Sequence, residues 1–188
     1  MAEENTPLRI LDYGISDKET FLIGRIISQW GAIEHEIFMQ CLLTYDDKEK
    51  IALPKAMNNL SFTDILDLWK ERVANKEKLK ERQEILLQQY ENIKSLKDYR
   101  NALIHGMWNW NIDEPEVIKT IRIRKKEIIT VKFKTEDLED FFKQVARILF
   151  HVKYPGGIGE LMEERMARGM YISRTGYEML FGEKKPDE

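Results

Sequence analysis

Two long stretches of this 188-residue chain repeat apolar residues at helical spacing, and each holds one charged residue inside its apolar stripe. The first runs from about residue 17 to 45 through Phe21, Ile26, Trp30, Ile33, Ile37 and Cys41. The second runs from about Lys78 to His105 through Ile85, Leu86, Gln89, Ile93, Leu96, Tyr99 and Leu103. At about 100° per residue, Glu34 projects roughly 40° from Trp30, and Arg100 about 40° from Leu96. A charge turned into a core needs a partner, because an unpaired buried charge is very costly. Two helices that each hide one charge, of opposite sign, are therefore expected to lie side by side with Glu34 against Arg100. That pair has two readings, a buried structural salt bridge or a clamp that holds Arg100 at a site. The residues alone leave both open.

The second stretch ends in Lys97-Asp-Tyr-Arg-Asn-Ala-Leu-Ile-His-Gly-Met-Trp108. A glycine directly behind a helical pattern is a C-cap signal, since glycine takes the left-handed conformation at little cost. Arg100, Asn101 and His105 thus fall in the last turns of a helix. An arginine never deprotonates, and histidine is the side chain that ordinarily titrates near neutral pH. Five residues apart on an ideal helix, Arg100 and His105 project about 140° from each other. They converge only if the helix loosens or ends near His105.

This segment resembles the Arg-polar-x-x-x-His signature of the HEPN family, all-helical domains found in many prokaryotic toxins, phage-defence proteins and RNases. The motif spans about a dozen residues, and a compatible helix pattern spans about residues 17–152. The resemblance implies a homodimer with paired Arg and His motifs, acting as a metal-independent endoribonuclease that leaves cyclic phosphate ends. Carried over, Arg100 is the phosphate-binding catalytic residue, Asn101 the polar residue after it, and His105 the proton-transfer residue. Glu34 lies outside the family motif, and its supporting role comes only from its place in the stripe. Some toxins of the family carry a tyrosine two residues after the histidine, which a nucleotidyltransferase-type antitoxin modifies. Here Met107 occupies that position, which puts such a partner in doubt.

Composition limits the alternatives. With 43% hydrophobic and 34% charged residues, the chain reads as globular and large enough for one core. Its net charge of −3 supplies no global basic field, so any nucleic-acid surface must be local. Cys41, the sole cysteine, falls on an apolar helix face and reads as core. His35, His105 and His151 match no zinc-ligand spacing, so neither a metal site nor another cofactor is expected. The acidic start Met1-Ala-Glu-Glu-Asn5 has no apolar run and no stretch reaches membrane-spanning length, so a cytoplasmic protein is expected.

Taken in order, residues 1–15 read as an arm laid over the surface. Residues 16–154 read as a HEPN-like bundle of four to five helices with a small antiparallel β-meander inserted at about 107–134. Residues 155–188 read as short helices and a polar tail. Ser16 or Asp17 can cap the first helix with Glu19 in its first turn, and Ser61-Phe-Thr-Asp64 opens a second. Behind Gly106 the period changes to alternation, over residues 108–112, 117–124 and 127–134. There Ile121, Ile123, Ile129, Val131 and Phe133 are expected to face inward. Arg122, Arg124, Lys132 and Lys134 then form a basic outer face. Such a face either tracks RNA phosphates or is merely solvated and guards an edge strand. The last long helix starts at Thr135-Glu-Asp-Leu-Glu139.

The chemistry follows from the residue types. RNA strand scission through the 2′-hydroxyl needs a base for the hydroxyl proton, an acid for the 5′-oxygen and a cation for the phosphorane charge. One histidine supplies base or acid, and an arginine fork matches the phosphate. A second copy of the motif supplies the missing proton-transfer group without a metal. The competing reading is a non-catalytic binding module in which Glu34 and Arg100 lock the core and His105 caps a helix.

Overall fold

A computed structural model of the chain describes residues 14–45, 54–124 and 126–168. Helix α1 (Asp17–Leu43) starts at Ser16, whose Oγ accepts the Glu19 N–H at 3.2 Å while the Glu19 carboxylate accepts the Ser16 N–H at 2.7 Å. Helix α2 (Phe62–Arg72) opens with the same reciprocal device, Ser61 with Asp64. Helix α3 (Lys80–His105) leads directly into the strands β1 (Met107–Trp110), β2 (Ile118–Arg124) and β3 (Glu127–Phe133). Helix α4 (Thr135–Lys153) and the shorter α5 (Ile158–Arg168) follow. The molecule is therefore mainly helical, with a small antiparallel sheet in the order β1-β2-β3 placed between α3 and α4. Among the described residues no helix is long and apolar enough to cross a membrane. Residues 1–13, most of the expected arm, and the Met-rich stretch beyond 168 lie outside the described residues.

Helix α1 is the centre of the bundle. It packs most extensively against α4 and next against α2, burying Ile26, Trp30, Ile33, Ile37 and Cys41 completely or nearly so. Gln40 joins three helices. Its Oε1 accepts from the indole of Trp69 on α2 at 2.8 Å, and its Nε2 donates to the Val152 carbonyl on α4 at 2.9 Å. Trp69 is fully buried, so its N–H needs that acceptor.

Two expectations are corrected. Gly106 is not left-handed; its φ and ψ are −81° and 144°, extended backbone that any residue adopts. The glycine is needed for close approach instead. A Cβ there would stand 2.4 Å from Thr120 Cβ and 2.6 Å from the Ala102 carbonyl oxygen, so the end of α3 and strand β2 touch through the missing side chain.

The second correction concerns the faces of β2. A two-residue turn pairs Arg124 with Glu127, which places Ile118 opposite Phe133, Thr120 opposite Val131 and Arg122 opposite Ile129. Opposed residues share a face, so Ile118, Thr120 and Arg122 turn inward with Val131 and Phe133. Ile121 and Ile123 therefore point outward. An inward set of Ile121, Ile123, Val131 and Phe133 requires a turn with one residue more or one fewer.

Candidate functional site

The site sits where α3 crosses α1. Arg100 Nη2 donates to Glu34 Oε1 at 3.0 Å, the ion pair expected from the two apolar stripes. The same Glu34 oxygen accepts from Trp30 Nε1 at 2.9 Å, one helical turn away on α1. Arg100 Nη1 donates to the amide oxygen of Asn101 at 3.1 Å, and the guanidinium carbon lies 6.0 Å from the Trp30 ring centroid. Glu34, Asn101 and Trp30 thus hold one arginine from three sides. Among the described residues two of its five N–H groups are engaged, and its Nε is buried without a partner. The pair is half-buried, not sealed: the Arg100 and Glu34 side chains keep 22% and 31% of their exposure. Beside Glu34 a cleft of about 360 Å³ opens between α1 and the start of α2, lined by Phe38, Met57, Asn59, Leu60, Phe62 and Ile65.

His105 stands apart from this group. Helix α3 stays regular to its end, with the Gly106 N–H bonded to the Ala102 carbonyl at 3.0 Å. His105 is exposed, and its ring makes no hydrogen bond, ion pair or ring contact among the described residues. Over five residues the helix turns about 140° and climbs about 7.5 Å, so the imidazole and the guanidinium leave α3 in different directions. The fold brings Glu34, Arg100 and Asn101 together and leaves His105 outside.

The expected phosphate-tracking residues separate as well. Arg122 faces inward toward α3, its side chain only 13% exposed, with Nη2 3.7 Å from Asp98. Lys132 is on the outer face but donates to Glu114 at 2.9 Å, and Lys119 reaches the same carboxylate. These two lysines hold the Glu114 carboxyl down, from 4.5 to about 2. Lys134 is exposed at the start of α4, where its N–H donates to Asp137 at 2.8 Å. The side chain of Arg124 is outside the described set. A continuous basic outer face is therefore not what the register builds.

Two contributors to the site were missed in the residue pattern. Trp30 reads as plain core, yet its indole anchors the Glu34 carboxylate. Its position four residues before Glu34 on the same stripe is a signal for that bond. Asp98, the acid that meets Arg122, lies on α3 among solvated charges and carries no such signal. Among the described residues no group of three or more His, Cys, Asp or Glu side chains is placed to hold a metal ion. Compared with known proteins, the chain matches no family model, no curated protein and no solved structure.

Proposed function

We propose that the chain is a metal-independent endoribonuclease of the HEPN type, working as a homodimer in the manner of a toxin or phage-defence effector. The reading is carried by one observation. Arg100 is held by Glu34 and Asn101 with further N–H groups left to donate, on the same helix that ends in an unengaged, exposed His105. An arginine positioned by a carboxylate and an amide presents a preorganised fork to a phosphate. One imidazole takes the 2′-hydroxyl proton, and the 2′-oxygen then attacks phosphorus. The bond to the 5′-oxygen breaks, and a second imidazole protonates that oxygen, leaving a 2′,3′-cyclic phosphate and a 5′-hydroxyl. Because His105 and Arg100 diverge within one chain, this chemistry requires the histidine of a second copy to approach. A nucleotidyltransferase-type antitoxin would need a target other than position 107, which is methionine.

The test is cleavage of RNA by the purified protein in EDTA beside His105→Ala, whose exposed side chain predicts an unchanged fold. Cleavage by wild type alone, with cyclic phosphate ends, supports the reading. Equal cleavage by both proteins places the activity elsewhere, and no cleavage transfers the weight to a second reading.

That second reading is a non-catalytic binding module. It is favoured by the divergence of His105 from the Glu34–Arg100 pair, which then serves only to lock α3 against α1. Under it, Arg100→Ala lowers stability and His105→Ala changes nothing.

A further inference from the structure

Helices α3 and α4 leave a groove of about 240 Å³ between them, and its walls are mostly polar. From α4 come Gln144, Arg147 and His151, which the helical repeat sets on one face about a turn apart. From α3 come Gln89 and Asn92, with Leu96 of α3 and the buried Ile148 of α4 between the polar groups. None of the lining residues is acidic. Arg82, Arg100 and Arg122 each meet a carboxylate, whereas Arg147 makes no ion pair or hydrogen bond among the described residues. Asp140, two turns earlier on the same face of α4, is taken by Lys143 at 3.0 Å.

The hydrogen bonds of the lining decide what the groove offers a ligand. Gln88 donates to Asn92 Oδ1 at 3.0 Å, Asn92 to Gln89 Oε1 at 3.1 Å, and Gln89 to the Ile85 carbonyl at 3.3 Å. The amide oxygens of Gln89 and Asn92 are thus engaged, while each amide keeps one N–H unbonded among the described residues. His151 Nδ1 is buried with no partner, so a proton there would be stranded. The favoured tautomer carries its proton on Nε2, which makes the accessible ring nitrogen a donor. With the guanidinium of Arg147, the groove collects N–H groups from four side chains and opposes them with no carboxylate. An acceptor-rich anion is the complement of such a lining.

We propose that this groove binds the terminal phosphate of a small phosphate monoester, with Arg147 as the fork and His151 as the second donor. A terminal phosphate brings three open oxygens and close to two charges, more than a diester offers to the same donors. Arg147 and His151 lie one turn apart, about 6 Å along the helix axis, so both side chains can reach one group. Glu34, Arg100, Asn101 and His105 do not line the groove, so the site stands independently of the ribonuclease reading.

The test follows the His151 ring by NMR as inorganic phosphate or methyl phosphate replaces chloride at constant pH and ionic strength. His151→Gln identifies the ring signals by their loss. Wild type is expected to show a saturable shift with both probes, and Arg147→Gln to weaken binding by about tenfold or more. Arg147 is exposed, so the fold should persist, with far-UV circular dichroism as the control. Arg147→Lys keeps the charge without the fork and is expected to fall between the two; it takes the place of Arg147→Gln if that variant alters the fold. No saturable shift in wild type overturns the proposal, and so does unchanged affinity in the folded Arg147 variants. Dimethyl phosphate bound as tightly as methyl phosphate overturns the terminal group in favour of a nucleic-acid backbone. Shifts confined to residues around Arg100 overturn it as well, because the anion then sits at the other arginine.

Discussion

Glu34 Oε1 accepts two hydrogen bonds at once, from Trp30 Nε1 at 2.9 Å and from Arg100 Nη2 at 3.0 Å. One oxygen therefore links a bond within α1 to the bond that crosses to α3. Pulling Arg100 away also disturbs the indole in the core. Because both charged side chains keep a fifth to a third of their exposure, water screens their attraction. The pair ranks between surface ion pairs, worth about 0.2–1 kcal/mol, and sealed ones.

A double-mutant cycle with Glu34→Gln and Arg100→Gln, read by urea unfolding, is expected to give a coupling of about 1 kcal/mol. Glu34→Gln, which keeps an oxygen for the Trp30 indole, is expected to cost less than Glu34→Leu. A coupling well above about 3 kcal/mol would show a pair behaving as fully desolvated.

Gly106→Ala is expected to destabilise the protein by about 2 kcal/mol or more. Its methyl would meet the Ala102 carbonyl and the Thr120 Cβ, neither of which a rotamer change can move aside. The backbone angles themselves suit alanine. A thermal melt within a degree or two of wild type would contradict the close approach of α3 and β2.

Replacing Gln40 by leucine removes the acceptor of the buried Trp69 indole and the donor to the Val152 carbonyl. Groups left unpaired in a core cost about 1–3 kcal/mol each. With two such groups, chemical denaturation should show a loss of about 2 kcal/mol or more for Gln40→Leu. His35 is exposed on the same helix, so His35→Ala serves as the control, expected within about 0.5 kcal/mol of wild type.

Burial pushes the Cys41 thiol up to about 12, against the opposing influence of Arg72. Alkylation needs the thiolate, and Cys41 is fully buried. At about pH 8, iodoacetamide should leave the native protein unlabelled over a time in which the denatured chain reacts completely. Rapid labelling would mean that α1 and α2 separate readily, since Cys41 lies between them beside the Ile65 carbonyl.

The depressed carboxyl of Glu114 gives a pH dependence with a defined sign. A group whose folded value lies below its unfolded one stabilises the fold above the unfolded value and loses that contribution as pH falls through the folded one. The window therefore runs from about 4.5 down to about 2. Across it, Tm of wild type should fall more steeply than that of Glu114→Gln, because glutamine has no proton to take up. Parallel curves would show that Lys119 and Lys132 do not hold the carboxylate in solution.

Much of this architecture is legible in the residues, and each legible feature has a short-range cause. The helix starts at Ser16 and Ser61 are read within four residues, because a hydroxyl, a backbone N–H and a carboxylate close on one another in the first turn. The stripes of α1 and α3 follow from one period. The Glu34–Arg100 contact joins distant segments and is still legible, because a desolvated charge tolerates few solutions other than its opposite.

What could not be read concerns how finished elements meet. Alternation in β2 is equally good in either parity, since Ile118, Thr120 and Arg122 compete with Ile121 and Ile123 for the inward face. The two-residue turn after Arg124 decides between them. Gly106 does cap the end of α3, as its position behind the helical pattern indicates, but its need for glycine comes from Thr120 arriving against it from β2, not from a left-handed backbone. Gln40 gives no hint of its partners, because Trp69 and Val152 reach it only after three helices have packed. The same holds for the proposed catalytic group. The chain places Arg100, Asn101 and His105 on one helix end, but a regular helix to residue 105 sends the imidazole away from the guanidinium. Periods, caps and lone buried charges are local free-energy terms, felt within a turn or paired by necessity. Register, crossing and direction are set by packing among elements, and no single segment contains them.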